Sequence, residues 1–214
     1  MDEIRQRIAN LINKNDQKVM IGISGHGASG KTTFANQLVE LIEEKDINLI
    51  NTDPYIIGSD LRKYTTLAYE YNGKEHHYKM TACHPAAHNV YALERDINML
   101  RDGLDFYSLA THYKKSTLIS SQHKVTIVEG MSLAFISQRL FDLTVYLYTD
   151  GETELTRRGI RDVSERGTDL HYLNQSHEER RIQYEVFMHP YHQNFDIVVK
   201  NSNEAFFLEK DNFK

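Results

Sequence analysis

One cysteine in 214 residues, Cys83, leaves no intramolecular disulfide to staple the fold and fits a reducing compartment. Only three prolines occur, and no repeat, low-complexity tract or Pro/Gly-rich run breaks the chain, so no linker between domains is marked. No stretch reaches the roughly 18 apolar residues of a membrane span. The start, Met1-Asp2-Glu3-Ile4-Arg5, carries acids where a leader needs an apolar run. Positive charge is not in excess either: 25 Lys and Arg against 30 Asp and Glu give a net charge of −5, and no general field for nucleic acid or anionic lipid. What is present, 40% hydrophobic and 26% charged residues, suits one globular domain over 1–214 with a core large enough to fold alone. The expectation is a cytoplasmic protein whose partners are small molecules, with neither nucleic acid nor membrane among them.

The stretch around which the chain is organised is Gly25-His26-Gly27-Ala28-Ser29-Gly30-Lys31-Thr32, directly after the apolar run Val19-Met20-Ile21-Gly22-Ile23. It satisfies the full Walker A spacing in the strand–loop–helix context that the motif needs. Glycines let successive N–H groups turn inward, and the following helix offers its N-terminus to an anion. Lys31 is expected to reach the β- and γ-phosphates of ATP, the Thr32 hydroxyl to ligate Mg²⁺, and Thr33 to flank the nucleotide.

In chain order, Ile4, Ile8, Leu11 and Ile12 form one helical stripe, expected to pack across a sheet edge. Phe34, Leu38, Leu41 and Ile42 predict a helix to about Lys45, and Ile47 to Asn51 a second strand parallel to the first. Ligands of open α/β sheets collect at the carboxyl ends of strands, which sets Asp53 beside the phosphate loop. Residues 56–85 carry aromatics and histidines with little periodicity beyond a short helix from Asp60 to about Tyr71, and are assigned to the acceptor side. His76-His77 reads as solvated or core histidine and not as a metal site. A helix with Val90, Leu93, Ile97 and Leu100 on one face ends at Asp102-Gly103, and Phe106–Thr111 with Thr117–Ser121 predicts a hairpin. Val125 to Val128 is a buried strand with Glu129 at its tip, where a Mg²⁺ site needs a carboxylate. Leu133–Phe141 is expected as helix, Leu143–Tyr148 as strand, Glu178–Met188 as helix and Phe195–Val199 as the last strand. Between them, Glu152–Gly167 bears Arg157, Arg158, Arg161 and Arg166, a helical lid over the transferred phosphoryl group.

From Val19 to Gly167 this order of features resembles the phosphoribulokinase/uridine kinase family. The resemblance rests on Gly22–Thr32 as phosphate loop, Asp53-Pro54-Tyr55 as acceptor motif, His84-Pro85, the hairpin pair Tyr107 and His112, Val128-Glu129-Gly130, and the arginine segment 157–167. It implies a P-loop NTPase fold of the α/β class: three layers, α/β/α, about a central parallel sheet, with a small β-hairpin, an acceptor-binding insertion over about 54–122 and a lid over about 151–168. It also implies an ATP- and Mg²⁺-dependent kinase that phosphorylates the 5′-hydroxyl of uridine or cytidine, and a homo-oligomer. Asp53, Lys31 and Arg161 would serve the transfer, residues 25–33 with Arg158 and Arg166 would hold ATP, and Thr32 and Glu129 the metal. Asp53, Tyr55, Cys83, His84, Tyr107 and His112 would face the acceptor. The family places an aspartate where this chain has Cys83, and a further lid arginine where it has Thr168. The alternatives are a family member with another acceptor, such as a different riboside, pantothenate or a sugar, and a regulatory P-loop NTPase.

Overall fold

The structure, a computed structural model, describes residues 1–111, 115–163, 169–203 and 205–213. The N-terminal stripe folds as helix α1 (Asp2–Lys14), with Asp2 and Glu3 in the first turn and Lys14 in the last, the charge order that suits the helix dipole. Strand β1 (Val19–Ser24), buried at every position, runs into the glycine loop, and α2 (Lys31–Val39) follows with Phe34, Ala35 and Leu38 buried. Strand β2 (Ile47–Asn51) ends in a 3₁₀ turn at Asp53–Tyr55. Next come α3 (Ser59–Arg62), β3 (Thr66–Tyr71), β4 (Lys74–Lys79), α4 (Val90–Arg101), β5 (Phe106–Tyr107) and β6 (Leu118–Ile119). The chain then forms β7 (Val125–Glu129), β8 (Leu143–Tyr148), α5 (Gly151–Arg158) continued by a π-helical turn at Gly159–Val163, α6 (Leu170–Phe187), β9 (Ile197–Ser202) and β10 (Ala205–Asp211).

The main sheet has the order β10-β9-β8-β1-β7-β2, parallel throughout except for β10, which pairs antiparallel at one edge. β7 lies between β1 and β2, so Glu129 stands in register with Ile23 on one side and Asn51 on the other. The last turn of each strand therefore delivers its residues to one rim. One face of the sheet is covered by Ile8 and Ile12 of α1 and Phe34 and Leu38 of α2, packed on Ile21, Ile127 and Val145. The other is covered by Leu93, Ile97 and Leu100 of α4 against Met20, Ile50 and Val128. This is the expected three-layer arrangement.

Several elements differ from expectation. Helix α1 shares the core of a sheet face and not an edge: Ile8 and Ile12 belong to the same apolar cluster as Ile21, Ile127 and Val145. The helix expected over 60–71 is only Ser59–Arg62, and residues 66–79 form an antiparallel hairpin. Asn72 and Gly73 both take positive φ, 52° and 72°, the pair of left-handed residues that a tight hairpin turn demands. Leu133–Phe141 is two 3₁₀ turns, Met131–Phe135 and Gln138–Leu140, which bury Leu133, Ile136 and Phe141 against the sheet without a continuous helix. The hairpin predicted over 106–121 shrinks to two paired residues on each strand. Helix α6 begins eight residues earlier than expected, and β10 has no counterpart in the predicted elements. Among the described residues, no helix is long and apolar enough to cross a membrane.

Candidate active site

A cleft of about 720 Å³ opens at the carboxyl rim of the sheet, walled by Ala28, Gly30, Lys31, Thr32, Asn51, Asp53, Arg157, Arg161, Asn201 and Phe206, among others. Its floor is the glycine loop. Gly30 sits at φ +95°, where a Cβ would also meet Asn201 Nδ2 at 2.6 Å, so both conformation and space call for glycine. The first amides of α2 lack partners one turn back, as at any helix start, and face the cleft end of the loop.

Lys31 Nζ lies 3.5 Å from the His26 carbonyl. Burial lowers its pKa; Glu129 and Asp53 act the other way, and Arg161 and Arg158 add to the lowering. The Thr32 hydroxyl is 3.2 and 3.3 Å from the two carboxylate oxygens of Glu129, which is buried at the tip of β7. Asn51 donates from Nδ2 to Glu129 Oε1, and its Oδ1 accepts the Asp53 amide at 2.8 Å. One asparagine thus fixes both carboxylate-bearing tips, and nothing in the sequence motif marks it. The hydroxyl of Thr32 and the carboxylate of Glu129 are hard oxygen donors of the kind Mg²⁺ takes, one or two from protein with phosphate and water completing the shell. Ser29 Oγ, buried in the loop without a partner among the described residues, is consistent with an anion completing this cradle. Among the described residues no group of three or more His, Cys, Asp or Glu forms a metal cage.

The arginines divide. Arg161 lines the cleft, with its guanidinium on Asp162 at 2.8 Å. Arg158 does not line it: its Nε bonds Glu154 at 2.8 Å, and its guanidinium packs on Gly27, filling the space a Cβ there would need. Arg157, expected only as one of the lid arginines, reaches the wall and donates to the Asn201 carbonyl and Oδ1 at 3.2 and 3.0 Å. Arg166 and Thr168 lie outside the described residues, as does His112.

Of the residues expected to face the acceptor, Asp53 lines the cleft, and Tyr55 and Cys83 do not. Tyr55 is buried against α4 and donates to Asp96 Oδ2 at 2.5 Å. Burial, the hydrogen bond and the Asp96 charge all raise its pKa. Cys83 packs with Met131, Tyr146, Tyr184 and Met188, and burial pushes its thiol up to about 11. Both are core residues because the 3₁₀ turn after β2 and the segment before His84 fold onto the sheet. His84 caps the turn Pro85–Ala87 by accepting the Ala86 amide, and Tyr107 is exposed on the short hairpin. His76 stacks on Tyr69 and pairs with Glu179 of α6 at 3.0 Å, while His77 pairs with Glu75. Tyr55→Phe is expected to lower stability by about 1.5–3 kcal/mol, the worth of a hydrogen bond to a buried charge, and to leave KM values unchanged. Thermal melts and steady-state kinetics check this; a raised KM with unchanged stability would contradict it.

His26, although inside the loop motif, turns away from the cleft and is almost fully buried. Its Nε2 accepts the Thr149 amide at 3.0 Å, which leaves the proton on Nδ1 to donate to the Gly27 carbonyl at 2.8 Å. Burial lowers its pKa to about 4, with Glu154 opposing and Arg181 assisting. Buried His88, between Ser132 Oγ and the Ala82 carbonyl, is likewise lowered to about 4 by burial. Unfolded, both would titrate near 6.5. Below that pH the unfolded chain binds protons that the folded chain refuses, so stability falls as pH drops from about 6.5 towards 4, by at most about 3 kcal/mol per ring, and is insensitive to these groups above pH 7. Urea midpoints at several pH values test this; a midpoint that stays flat or rises on acidification would contradict it.

A model of the phosphoribulokinase/uridine kinase family matches residues 20–205. A uridine kinase from Lactobacillus helveticus (strain DPC 4571) is 29% identical over 206 residues, 91% of this chain and 92% of that protein. The uridine-cytidine kinase B of Dictyostelium discoideum is 31% identical over 179 residues, 80% of this chain and 66% of that one. Among solved structures, the phosphoribulokinase from Rhodobacter spheroides has a TM-score of 0.61 at 15% identity, over 87% of this chain and 71% of that chain, a likeness of fold.

Proposed function

Since the chain belongs to the phosphoribulokinase/uridine kinase family and is a phosphotransferase with a hydroxyl acceptor, we propose that it transfers the γ-phosphate of ATP to the 5′-hydroxyl of a pyrimidine nucleoside. The observation that carries the proposal is the rim of the sheet, where Asn51 ties the tips of β2 and β7 together and Asp53 faces the same cleft as Lys31 and Thr32. The choice of acceptor is supported by the relatives named for uridine and cytidine.

In this reading the loop amides and Lys31 hold the donor's phosphates, and Arg161 meets the charge that spreads over the transferred group. Asp53 accepts the proton of the acceptor hydroxyl, or a hydrogen bond that aims it in line. Thr32 and Glu129 would hold Mg²⁺, which when bound would neutralise phosphate charge. Lys31, half-buried in the cleft wall, offers a charge that is already in place before the reaction proceeds. In the same reading the acceptor-binding insertion spans about 54–122 and the lid about 151–168.

A second reading keeps the kinase and changes the acceptor. It is favoured by Cys83, buried in apolar surroundings where the family resemblance called for a hydroxyl-gripping aspartate. ATP turnover against uridine, cytidine, other ribosides, pantothenate and sugars separates the two. The first reading expects phosphorylation of uridine or cytidine with the highest kcat/KM of the panel. Preference for another alcohol establishes the second, and ATP hydrolysis stimulated only by a protein would contradict both.

A further inference from the structure

Two carbonyls of the glycine loop are held by side chains, one from within the loop and one from far along the chain. The Gly27 carbonyl accepts from His26 Nδ1, and the Ser29 carbonyl accepts from Asn201 Nδ2 at 3.0 Å. Asn201 is buried near the end of β9, 172 positions from Ser29. Its own Oδ1 and backbone carbonyl are both held by Arg157, so its amide cannot turn without breaking bonds on two sides. In a planar trans peptide the N–H points opposite to the C=O. Fixing the Ser29 carbonyl on the Asn201 side therefore fixes the Gly30 N–H on the other, and fixing the Gly27 carbonyl does the same for the Ala28 N–H. Ala28 and Gly30 both line the cleft. Among the described residues neither amide has a protein acceptor.

We propose that Asn201 is a positioning residue for phosphate binding: by holding the Ser29 carbonyl on its own side of the loop it fixes the Gly30 amide on the opposite side, where it meets the donor's phosphates. The proposal rests on the donor half of the kinase reading and is independent of which acceptor is used. Arg157 belongs to the same device, because it sets which end of the Asn201 amide faces Ser29. The last turn of α5 is thereby coupled to the loop through Asn201 of β9.

The test separates phosphate binding from base binding. Asn201→Asp keeps size and the acceptor for Arg157 but presents an oxygen to the Ser29 carbonyl; Asn201→Leu removes both bonds. In either variant the dissociation constants of ATP and of inorganic triphosphate should rise roughly tenfold, as for one lost hydrogen bond, while that of adenosine stays unchanged. Equal losses for adenosine and ATP, or unchanged triphosphate binding, would overturn the proposal. Should the variants fail to fold, the unaltered protein still decides: the amide proton resonances of Gly30 and Ala28 should shift when triphosphate is added. Triphosphate binding without a Gly30 shift overturns the positioning role alone. No binding of triphosphate to the unaltered chain overturns that role and the kinase reading together.

Discussion

Asp53→Asn is expected to lower kcat by roughly 10²–10⁴-fold, the usual contribution of a positioned general base, with the dissociation constant for ATP unchanged. Asparagine matches aspartate in shape and keeps the backbone bond from residue 53 to Asn51 Oδ1, so the turn after β2 should stand as before. What is lost is the negative charge and the capacity to take a proton. Because Asp53 is one of the two carboxylates near Lys31, the substitution should also make that ammonium easier to deprotonate, which moves the basic limb of the pH–rate profile to lower pH. Steady-state kinetics with calorimetric measurement of ATP affinity checks both parts. Unchanged kcat would remove Asp53 from the chemistry, and a parallel loss of ATP affinity would make it a donor contact.

Lys31→Met is expected to cost roughly 10²–10³-fold in kcat/KM for ATP, comparable to removal of one preorganised charge-stabilising donor. The signature differs from that of Asp53, because donor affinity and turnover should fall together while the acceptor's own affinity is kept. Methionine retains the length and apolar stem of lysine at the start of α2, which limits the structural change to the loss of the ammonium. Isothermal titration with ATP and, separately, with the acceptor gives the comparison. Full ATP affinity in Lys31→Met would place the phosphates elsewhere.

How much of this was legible from sequence follows from what local pattern can encode. The strands β1, β7 and β8 are apolar runs enclosed in the main sheet, and such runs announce themselves. The edge strand β10 presents Phe206, Phe207 and Leu208 half-exposed and carries a register shift, so it lacks the alternation by which a strand is recognised. The β3–β4 hairpin was readable in principle from Asn72-Gly73 between aromatic-rich runs, and a helical reading of Asp60–Tyr71 obscured it. Within the site, the motif residues Lys31, Thr32, Asp53 and Glu129 were found because spacing and strand ends suffice to place them. Asn51 was passed over because its role depends on β7 entering between β1 and β2, a fact of topology. Asn201 was beyond reach for the same reason, as was the bond to it from Arg157, a residue legible only as one of the lid arginines. Tyr55 fits an acceptor motif by position but turns to Asp96, showing that a motif residue follows its backbone into the core when a buried partner waits there.

The arrangement of donor and acceptor is tested most directly by a crystal structure of the chain with a non-hydrolysable ATP analogue and the nucleoside it phosphorylates. The account predicts the β- and γ-phosphates on the amides of residues 27–32 with Lys31 at the γ-phosphate, and the acceptor hydroxyl about 2.6–3.2 Å from the Asp53 carboxylate. Phosphates bound away from that loop, or a hydroxyl directed at a base other than Asp53, would contradict it.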